Sequence, residues 1–367
     1  MARFTDLRSD IENISQVLDQ RTMVNRIINR TLHRIAGSHP WPFLLDESFF
    51  PTVDDYSDGT VTATNGSATI TGASTTFTAA MVGRKIRVGS ENAYYRISAF
   101  VSTTEVTLET TYQGTTQSGA TYRIYQDEYR LRADVDIHHF LRQIEDGFAL
   151  VDLDPGEFDV LFPTPSNYGN PNFVVPIGTR RDTYSTGTVT ASGTTITGTS
   201  TDWLNVQGLS RGSRIRIGDN VYTVSTVSSA TSITVYETTT TVSSATAYVV
   251  FLDNPRILIH SIPDSARNIY YRFYRKPTPL VNDYDEPDLP TDWQWLLVIG
   301  SLTELFQQKN DIEKSVINEQ QFLQGIQRMK SQYRSQTRVY QRYPQGAGLG
   351  RFQPRFPAGT DIRAHAP

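Results

Sequence analysis

Apolar and polar positions along this chain follow two different periods. From Gly59 to Tyr125, and again from Gly187 to Phe251, they alternate at every second residue. In the first stretch Ile86, Val88, Tyr95, Ile97, Val106 and Leu108 fall on one face of a pleat, and Arg87, Arg96 and Thr107 on the other. Elsewhere the period is helical. Val24, Ile27, Ile28, Leu32 and Ile35 recur at steps of three and four opposite Arg26, Asn29, Arg30 and Arg34, which predicts one helix over residues 5–36, stopped by Gly37 and Pro40. The apolar run Trp41-Pro42-Phe43-Leu44 is expected to dock on that helix as core.

The two alternating stretches are one pattern used twice. Val61 aligns with Val189, Ile70 with Ile196, Phe77 with Trp203, Ile86-Arg87-Val88-Gly89 with Ile215-Arg216-Ile217-Gly218, Tyr95 with Tyr222, Val106-Thr107-Leu108 with Ile233-Thr234-Val235, and Tyr122 with Tyr248. Thr, Val, Ile and Tyr dominate both, punctuated by Gly, Asn and Ser, so each copy is expected to be a small β-barrel or sandwich of short antiparallel strands. Two copies are too few for a solenoid and read as one module used twice as an inserted ornament.

Between and after the copies the pattern is mixed. Asp127-Glu128-Tyr129-Arg130-Leu131 follows the first module, and Ile137 to Leu153 fits helix and strand equally. Asp154 to Phe162 predicts a short helix with Asp154 as N-cap and Pro155 at the first helical position. Phe173 to Ile177 reads as a strand whose partner is Arg256 to Ile259, which places the second module in a hairpin loop of a host β layer. Ile269 to Arg275 is expected in that same layer. An acidic loop, Leu280 to Pro290, carries Asp283, Asp285, Glu286 and Asp288. A helix over Pro290–Gln308 follows, then a capping box at Asn310 and Glu313 that opens a second helix with the stripe Ile312, Val316, Leu323, Ile326, Met329 and Tyr333. These two helices need the N-terminal one to close their apolar faces.

The resulting expectation is an α+β chain: a helical host domain with a small β layer, carrying two inserted, mutually similar all-β modules. Residues 1–55 form the N-terminal helical part of the host and 56–127 the first β module. The middle of the host is 128–184, the second module 185–252, the host strand and C-terminal helices 253–336, and an extended C-terminal arm 337–367.

Composition narrows the function. At 367 residues with a net charge of −4 there is no global basic field for nucleic acid, so any DNA contact must be local. No cysteine occurs, which excludes disulfides, thiolate metal sites and a cysteine nucleophile and fits a reducing cytosol. MARFTDLRSD lacks the apolar core of a signal peptide, and Trp295 to Ile299 is far too short for a membrane span, so a soluble protein is expected. With 19 Tyr and 17 Phe there are more aromatics than two small β modules need, and some are expected to face partner subunits.

Chemistry-bearing patterns are sparse. None of His33, His39, His138, His139, His260 and His365 has metalloprotease spacing, and no phosphate-binding or nucleophile-elbow motif occurs. His138 and His139 are adjacent and so point different ways. Asp152 to Gly156 faintly resembles a calcium loop, interrupted by Leu153 and Pro155. Gly66, Gly72, Gly83 and Gly89 punctuate β turns and precede no helix, which removes a dinucleotide reading. No catalytic, cofactor-binding or metal-binding residue is expected, and the protein is read as not an enzyme. From Thr337 onward periodicity stops, and Arg338, Arg342, Arg351, Arg355 and Arg363 alternate with Tyr340, Tyr343, Phe352 and Phe356 among Pro and Gly. Such a segment cannot bury enough apolar area to fold alone. It reads as a frayed terminus or as an arm that orders on a neighbouring protein, since Arg and aromatics carry interface energy.

With both modules lifted out, the host sequence resembles tailed-bacteriophage head-to-tail adaptor (connector) proteins. The matching stretches are Val24-Asn25-Arg26-Ile27-Ile28-Asn29 leading to Trp41-Pro42-Phe43, Glu128-Tyr129-Arg130-Leu131, Gly169-Asn170-Pro171-Asn172-Phe173, Ile262-Pro263-Asp264, Tyr271 to Pro277, and Leu289-Pro290 into the final helices. Arg132 stands where such chains usually carry proline. The resemblance implies a structural virion protein: a homo-oligomeric ring, commonly a dodecamer, beneath the portal, continuing the DNA channel and carrying the tail. It implies as partners other copies of the chain, the portal protein and downstream tail or nozzle proteins. Genomic DNA would pass through without sequence-specific binding, and no membrane is involved. The arm residues Arg338, Tyr340, Arg342, Tyr343, Arg351, Phe352, Arg355 and Phe356 are the expected portal contacts. The location implied is the head-tail junction of the virion, assembled in the host cytoplasm. Two alternatives stand beside it: another phage tail or baseplate protein whose β modules bind surface glycans or tail proteins, and a hydrolase with an unrecognised site.

Overall fold

A computed structural model describes residues 2–17, 20–140, 150–163 and 167–340. Two helices, α1 (Phe4–Ser15) and α2 (Arg21–Ala36), precede strand β1 (Leu45–Pro51). The first module follows as β2 (Thr60–Ala63), β3 (Thr69–Ala73), β4 (Lys85–Val88), β5 (Tyr95–Ser102), β6 (Glu105–Leu108), β7 (Gln117–Ala120) and β8 (Tyr122–Tyr125). Then come β9 (Glu128–Arg130), β10 (Val135–Phe140), β11 (Val151–Asp152), helix α3 (Pro155–Leu161) and β12 (Phe173–Thr179). The second module comprises β13 (Asp182–Tyr184), β14 (Thr188–Ser192), β15 (Thr195–Thr199), β16 (Arg214–Ile217), β17 (Asn220–Ser229), β18 (Ser232–Val235), β19 (Val242–Thr246) and β20 (Tyr248–Leu252). The chain ends on β21 (Pro255–His260), β22 (Asn268–Arg275), α4 (Trp295–Gln308) and α5 (Ile312–Tyr340).

The expected α+β class, a helical host with inserted β modules, is overturned. Among the described residues the molecule is predominantly β, 36% strand against 26% helix, with five α-helices. The strands outside the modules account for the difference. They form two sheets in the order β1-β22-β10 and β11-β12-β21-β9, with their own core of Phe50, Tyr129, Leu131, Val174, Ile257, Ile259, Ile269, Tyr271 and Phe273. The pairing of β12 with β21 is as expected, Val174 opposite Ile259 and Pro176 opposite Ile257. Ile269 to Arg275, however, does not join that sheet. It is the centre of the other one, between β1 and β10. The undecided stretch after Ile137 begins as strand β10, and residues 141–149 lie outside the described residues.

The two modules share one strand order. The first runs β7-β2-β3-β6-β5-β4-β8; the second, read from β19, runs β19-β14-β15-β18-β17-β16-β20-β13 and so repeats it strand for strand with β13 added. In the first module an isolated bridge from Tyr56 to Ile124 stands where β13 pairs with β20. Alternation supplies each core: Val61, Ile70, Phe77, Ile86, Val88, Tyr95, Ile97, Val106, Leu108 and Tyr122 in one, Val189, Ile196, Trp203, Ile215, Ile217, Tyr222, Val224, Ile233, Val235 and Tyr248 in the other. Residues from both ends of each sheet meet in a single core, so each sheet curls on itself. A tyrosine hydroxyl fastens the curl: Tyr122 Oη donates to Asp58 O at 2.6 Å and Tyr248 Oη to Thr186 O at 2.7 Å.

Helices α1, α2, α4 and α5 pack around a separate core that includes Phe4, Leu7, Ile11, Val24, Ile28, Leu32, Leu296, Leu297, Leu305, Phe322, Ile326 and Met329. The predicted single helix over residues 5–36 is two helices. Its apolar stripe begins at Val24 and lies wholly in α2, while α1 ends at Gln16, a residue with φ of 55°. Trp41 docks as expected, fully buried, with Nε1 donating to Ile35 O at 2.8 Å. Asp154 caps α3 as expected, its Oδ1 accepting from Gly156 N at 2.9 Å. The predicted Asn310 cap is displaced by one residue. Asn310 is the left-handed residue (φ 60°) that ends α4, with its own N–H donating to Gln307 O and the Asp311 N–H to Phe306 O, a Schellman closure. Asp311 then opens α5, its backbone carbonyl accepting from Ser315 N and its side chain from Lys314 N.

Gly59 and Gly187 enter the equivalent strands β2 and β14 at φ of 76° and 83°, and a Cβ there would stand 2.3 Å from Ala73 O and Thr199 O respectively. Gly66, at φ 80°, has open space around it. Gly66→Ala is therefore expected to cost about 1 kcal/mol, and Gly59→Ala or Gly187→Ala about 2 kcal/mol or more, because backbone conformation and backbone contact both oppose the methyl group. Urea denaturation measures this, and equal losses at Gly59 and Gly66 would mean that the strand entry relaxes.

Candidate functional site

Only two residues separate each module from the strand that follows it, Gln126-Asp127 after β8 and Asp253-Asn254 after β20. Those strands, β9 and β21, are antiparallel neighbours in one sheet, Arg130 opposite Arg256 and Tyr129 opposite Ile257. Both modules therefore hang from adjacent strands. The exits are held by buried polar groups. Asn254 is 1% exposed and its Nδ2 donates to Leu131 O at 2.8 Å and to Gly208 O at 2.6 Å, tying the host sheet to the second module. On the first side Lys85 Nζ, from β4, lies 2.9 Å from both Asp127 Oδ2 and Glu128 Oε1.

Glu128 gathers three cations. Besides Lys85, Arg96 Nη2 reaches both of its oxygens at 2.9 Å, and Arg256 Nη1 lies at 3.0 Å. Burial alone would push this carboxyl up, but Lys85 and Arg96 outweigh it and hold it at about 2, below its ordinary 4.5. Burial likewise works against the Lys85 ammonium, and the two carboxylates more than compensate, so it holds its proton more tightly than usual. The network runs on between the modules. Arg180 Nη2 meets Glu109 Oε1 at 3.2 Å, while Arg130, ion-paired with Asp182, donates to Leu252 O at 2.7 Å. Sequence reading placed Glu128 only within a resembling stretch. The available signal was Lys85, a cation sitting where the neighbouring strand positions turn inward.

A second surface is the outer side of α5. The predicted stripe divides: Ile326 and Met329 are buried against α4 with Phe322, whereas Ile312, Val316 and Leu323 are 67%, 50% and 49% exposed. Positions 312, 316 and 323 line one row along the helix, beside the buried row rather than within it. Ile317 and, on α1, Ile14 are also exposed, and Lys309 Nζ bonds Ser15 O beside them. The acidic loop before α4 is clasped down, Asp283 by Arg8 at 2.7 Å and Asp288 by both Arg275 nitrogens at 2.6 and 2.9 Å. Burial opposes charge on Asp288, and its bonds to Arg275 and Thr278 still hold the carboxyl below its usual range. The loop carboxylates Asp283 and Asp288 thus serve packing.

Among the predicted arm residues, Arg338 and Tyr340 fall on the last turn of α5, which runs past the expected boundary at Thr337. Arg342, Tyr343, Arg351, Phe352, Arg355 and Phe356 lie outside the described residues. His138 and His139 are on β10, opposite Phe273 and Arg272. Among the described residues no cluster of His, Asp and Glu could hold a metal ion, and no helix is long and apolar enough to cross a membrane.

Glu128→Gln leaves Lys85, Arg96 and Arg256 facing a neutral amide, and the expected loss is about 3 kcal/mol at neutral pH. Because the folded carboxyl titrates near 2 and its ordinary value is 4.5, the stability it confers is complete above pH 4.5 and lost as pH falls toward 2. Urea midpoints of the two proteins should converge across that window. Parallel pH profiles would remove Glu128 from its role.

No curated protein matches the chain. Residues 177–345, which hold β21, β22, the second module, α4 and all of α5, match the family model described as SU10 adaptor protein. Three of the resembling stretches lie inside the match, Ile262 to Asp264, Tyr271 to Pro277 and Leu289-Pro290. The family is one of structural phage head-tail adaptors. The resemblance is borne out: residues 177–345 match the model of the SU10 adaptor proteins, a phage head-tail adaptor family.

Proposed function

We propose that this protein is a structural, non-enzymatic head-to-tail adaptor whose copies close into a ring beneath the portal, continuing the DNA channel and presenting a platform for the tail. The observation that carries the reading is the family match across the segment holding α4 and α5, together with the uncovered apolar row on α5. Contiguous exposed apolar side chains mark an association surface. In this reading Ile312, Val316 and Leu323 of one copy pack on the bundle of the next. The arm, with Arg338, Tyr340, Arg342, Tyr343, Arg351, Phe352, Arg355 and Phe356, orders on the portal at the expense of about 2–5 kcal/mol of gross binding energy. The net charge of −4 suits a channel through which DNA passes without being gripped.

Val316→Asp combined with Leu323→Asp is expected to abolish ring formation in sedimentation velocity. The melting transition should hardly move, since substitutions at exposed positions usually change stability by about 0.5 kcal/mol or less. Rings that survive this double change would place the subunit interface elsewhere. Removal of Gln345 to Pro367 is expected to leave folding and ring closure intact and to eliminate co-purification with the portal protein. Undiminished portal association would take the arm out of the account.

A further inference from the structure

Register places one ion pair at the same point of both modules. Lys85 stands opposite Tyr125 across β4 and β8, and Arg214 opposite Phe251 across β16 and β20, with Asp127 and Asp253 each two residues further on. Lys85 is paired with Asp127, and Arg214 with Asp253. The copies furnish the pair differently. In the second it lies at the surface, its side chains 46% and 33% exposed; in the first it is sealed, at 5% and 8%. Asn254 follows the aspartate of the second pair and Glu128 that of the first, where Glu128 Oε1 also lies 2.9 Å from Lys85 Nζ. An ion pair alone is served by arginine, as it is in the second module. Lysine differs in its chemistry: a buried amine can shed its proton and attack, which a guanidinium cannot.

We propose that Lys85 and Asp127 become joined by an intramolecular amide between Nζ and Cγ, with Glu128 as the proton carrier. Attack needs the nitrogen about 3–3.5 Å from the carbon. Lys85 Nζ, 2.9 Å from Asp127 Oδ2, is already held against that carboxyl group. The proton moves first, from Nζ to Oδ2, leaving an amine and a carboxylic acid. Burial favours this neutral pair over two ions and pushes the Asp127 carboxyl above its ordinary value. The amine then adds to Cγ, and Glu128 accepts one N–H proton from the adduct and returns it to the departing hydroxyl. The C–N bond forms, one C–O bond breaks and one water leaves, so no co-reactant is needed. Arg96 and Arg256 keep Glu128 ionised, and a carboxyl held in this way is a weak base but a strong acid, suited to the second transfer. Asp127 and Glu128 together also favour the Lys85 ammonium, so the reactive form is the minor one and the bond forms slowly, after folding. Once made, it ties β4 to the exit of the module, past β8. The inference is independent of the adaptor reading.

The test is the intact mass of the full-length protein, fresh and after prolonged incubation at mildly alkaline pH, followed by tandem mass spectrometry of a tryptic digest. Expected are the loss of the mass of one water and a branched peptide in which the Lys85 amine is acylated by Asp127. Lys85→Arg installs the residue the second module carries at this register, so folding should survive, and thermal melting verifies it; this variant should keep its full mass. Glu128→Gln, followed under conditions where it is folded, should form the bond about a hundredfold more slowly. A wild-type chain that keeps its full mass throughout overturns the proposal. So does a mass loss that persists in Lys85→Arg or yields no branched peptide, which would be cyclisation of an aspartate. An unchanged rate in Glu128→Gln would overturn the role given to that carboxylate.

Discussion

The architecture depends on how each module leaves for the host sheet. Two residues are too few to act as a tether, and at both exits a buried polar side chain removes what freedom remains: Asn254 on one side, Asp127 on the other. Because β9 and β21 are bonded neighbours, the modules are fixed to one another as well as to the sheet. Glu128 sits at the start of that strand with three cations around it. Taking such a set out of water costs several kcal/mol per ion, and the attraction within it offsets the cost only while the geometry is kept. The network therefore contributes less to net stability than to holding a single arrangement of the parts. A hydrophobic contact of equal area would tolerate sliding; a carboxylate shared by Lys85, Arg96 and Arg256 does not.

What could be read from the chain was what is encoded locally. The modules were legible because their alternation is repeated and long enough to fix which face turns inward, and the same residues then form both cores. The β12–β21 pair was legible because apolar runs flank the second module. Strand β1 was not. It carries Asp46 and Glu47, leaves Phe49 exposed and bonds to β22, a segment more than two hundred residues away, so nothing nearby in the sequence specifies it. Missing β1 and leaving β10 undecided made the host look helical, and the fold class followed that error. The Asn310 cap failed for a different reason. Asn suits both a helix start and the left-handed residue that ends one, and only the preceding turn of α4 decides between them.

The exposed apolar row on α5 was half legible. Ile312, Val316, Leu323, Ile326 and Met329 were recognised as one stripe, but hydrophobic periodicity cannot separate residues that pack on α4 from those a turn away that face outward. Burial separates them. Another neighbourhood was invisible for the opposite reason: Arg87 and Arg123 appear in the sequence as ordinary outward-facing positions of two strands, and only the pairing of β4 with β8 sets them side by side. In both places the informative quantity is which neighbour a residue acquires, not its own chemistry.

The two closing helices are unequal, 14 residues in α4 and 29 in α5. At about 1.5 Å of rise per residue the second is roughly twenty ångström longer than the first. Its axis runs on past Tyr333, which packs against Trp41 and Phe43. Helical backbone thus continues for seven residues beyond that contact, to Tyr340. Geometry of this kind fixes the launching point of whatever follows, so lengthening or shortening α5 by one turn would raise or lower that point by about 5 Å and rotate it little.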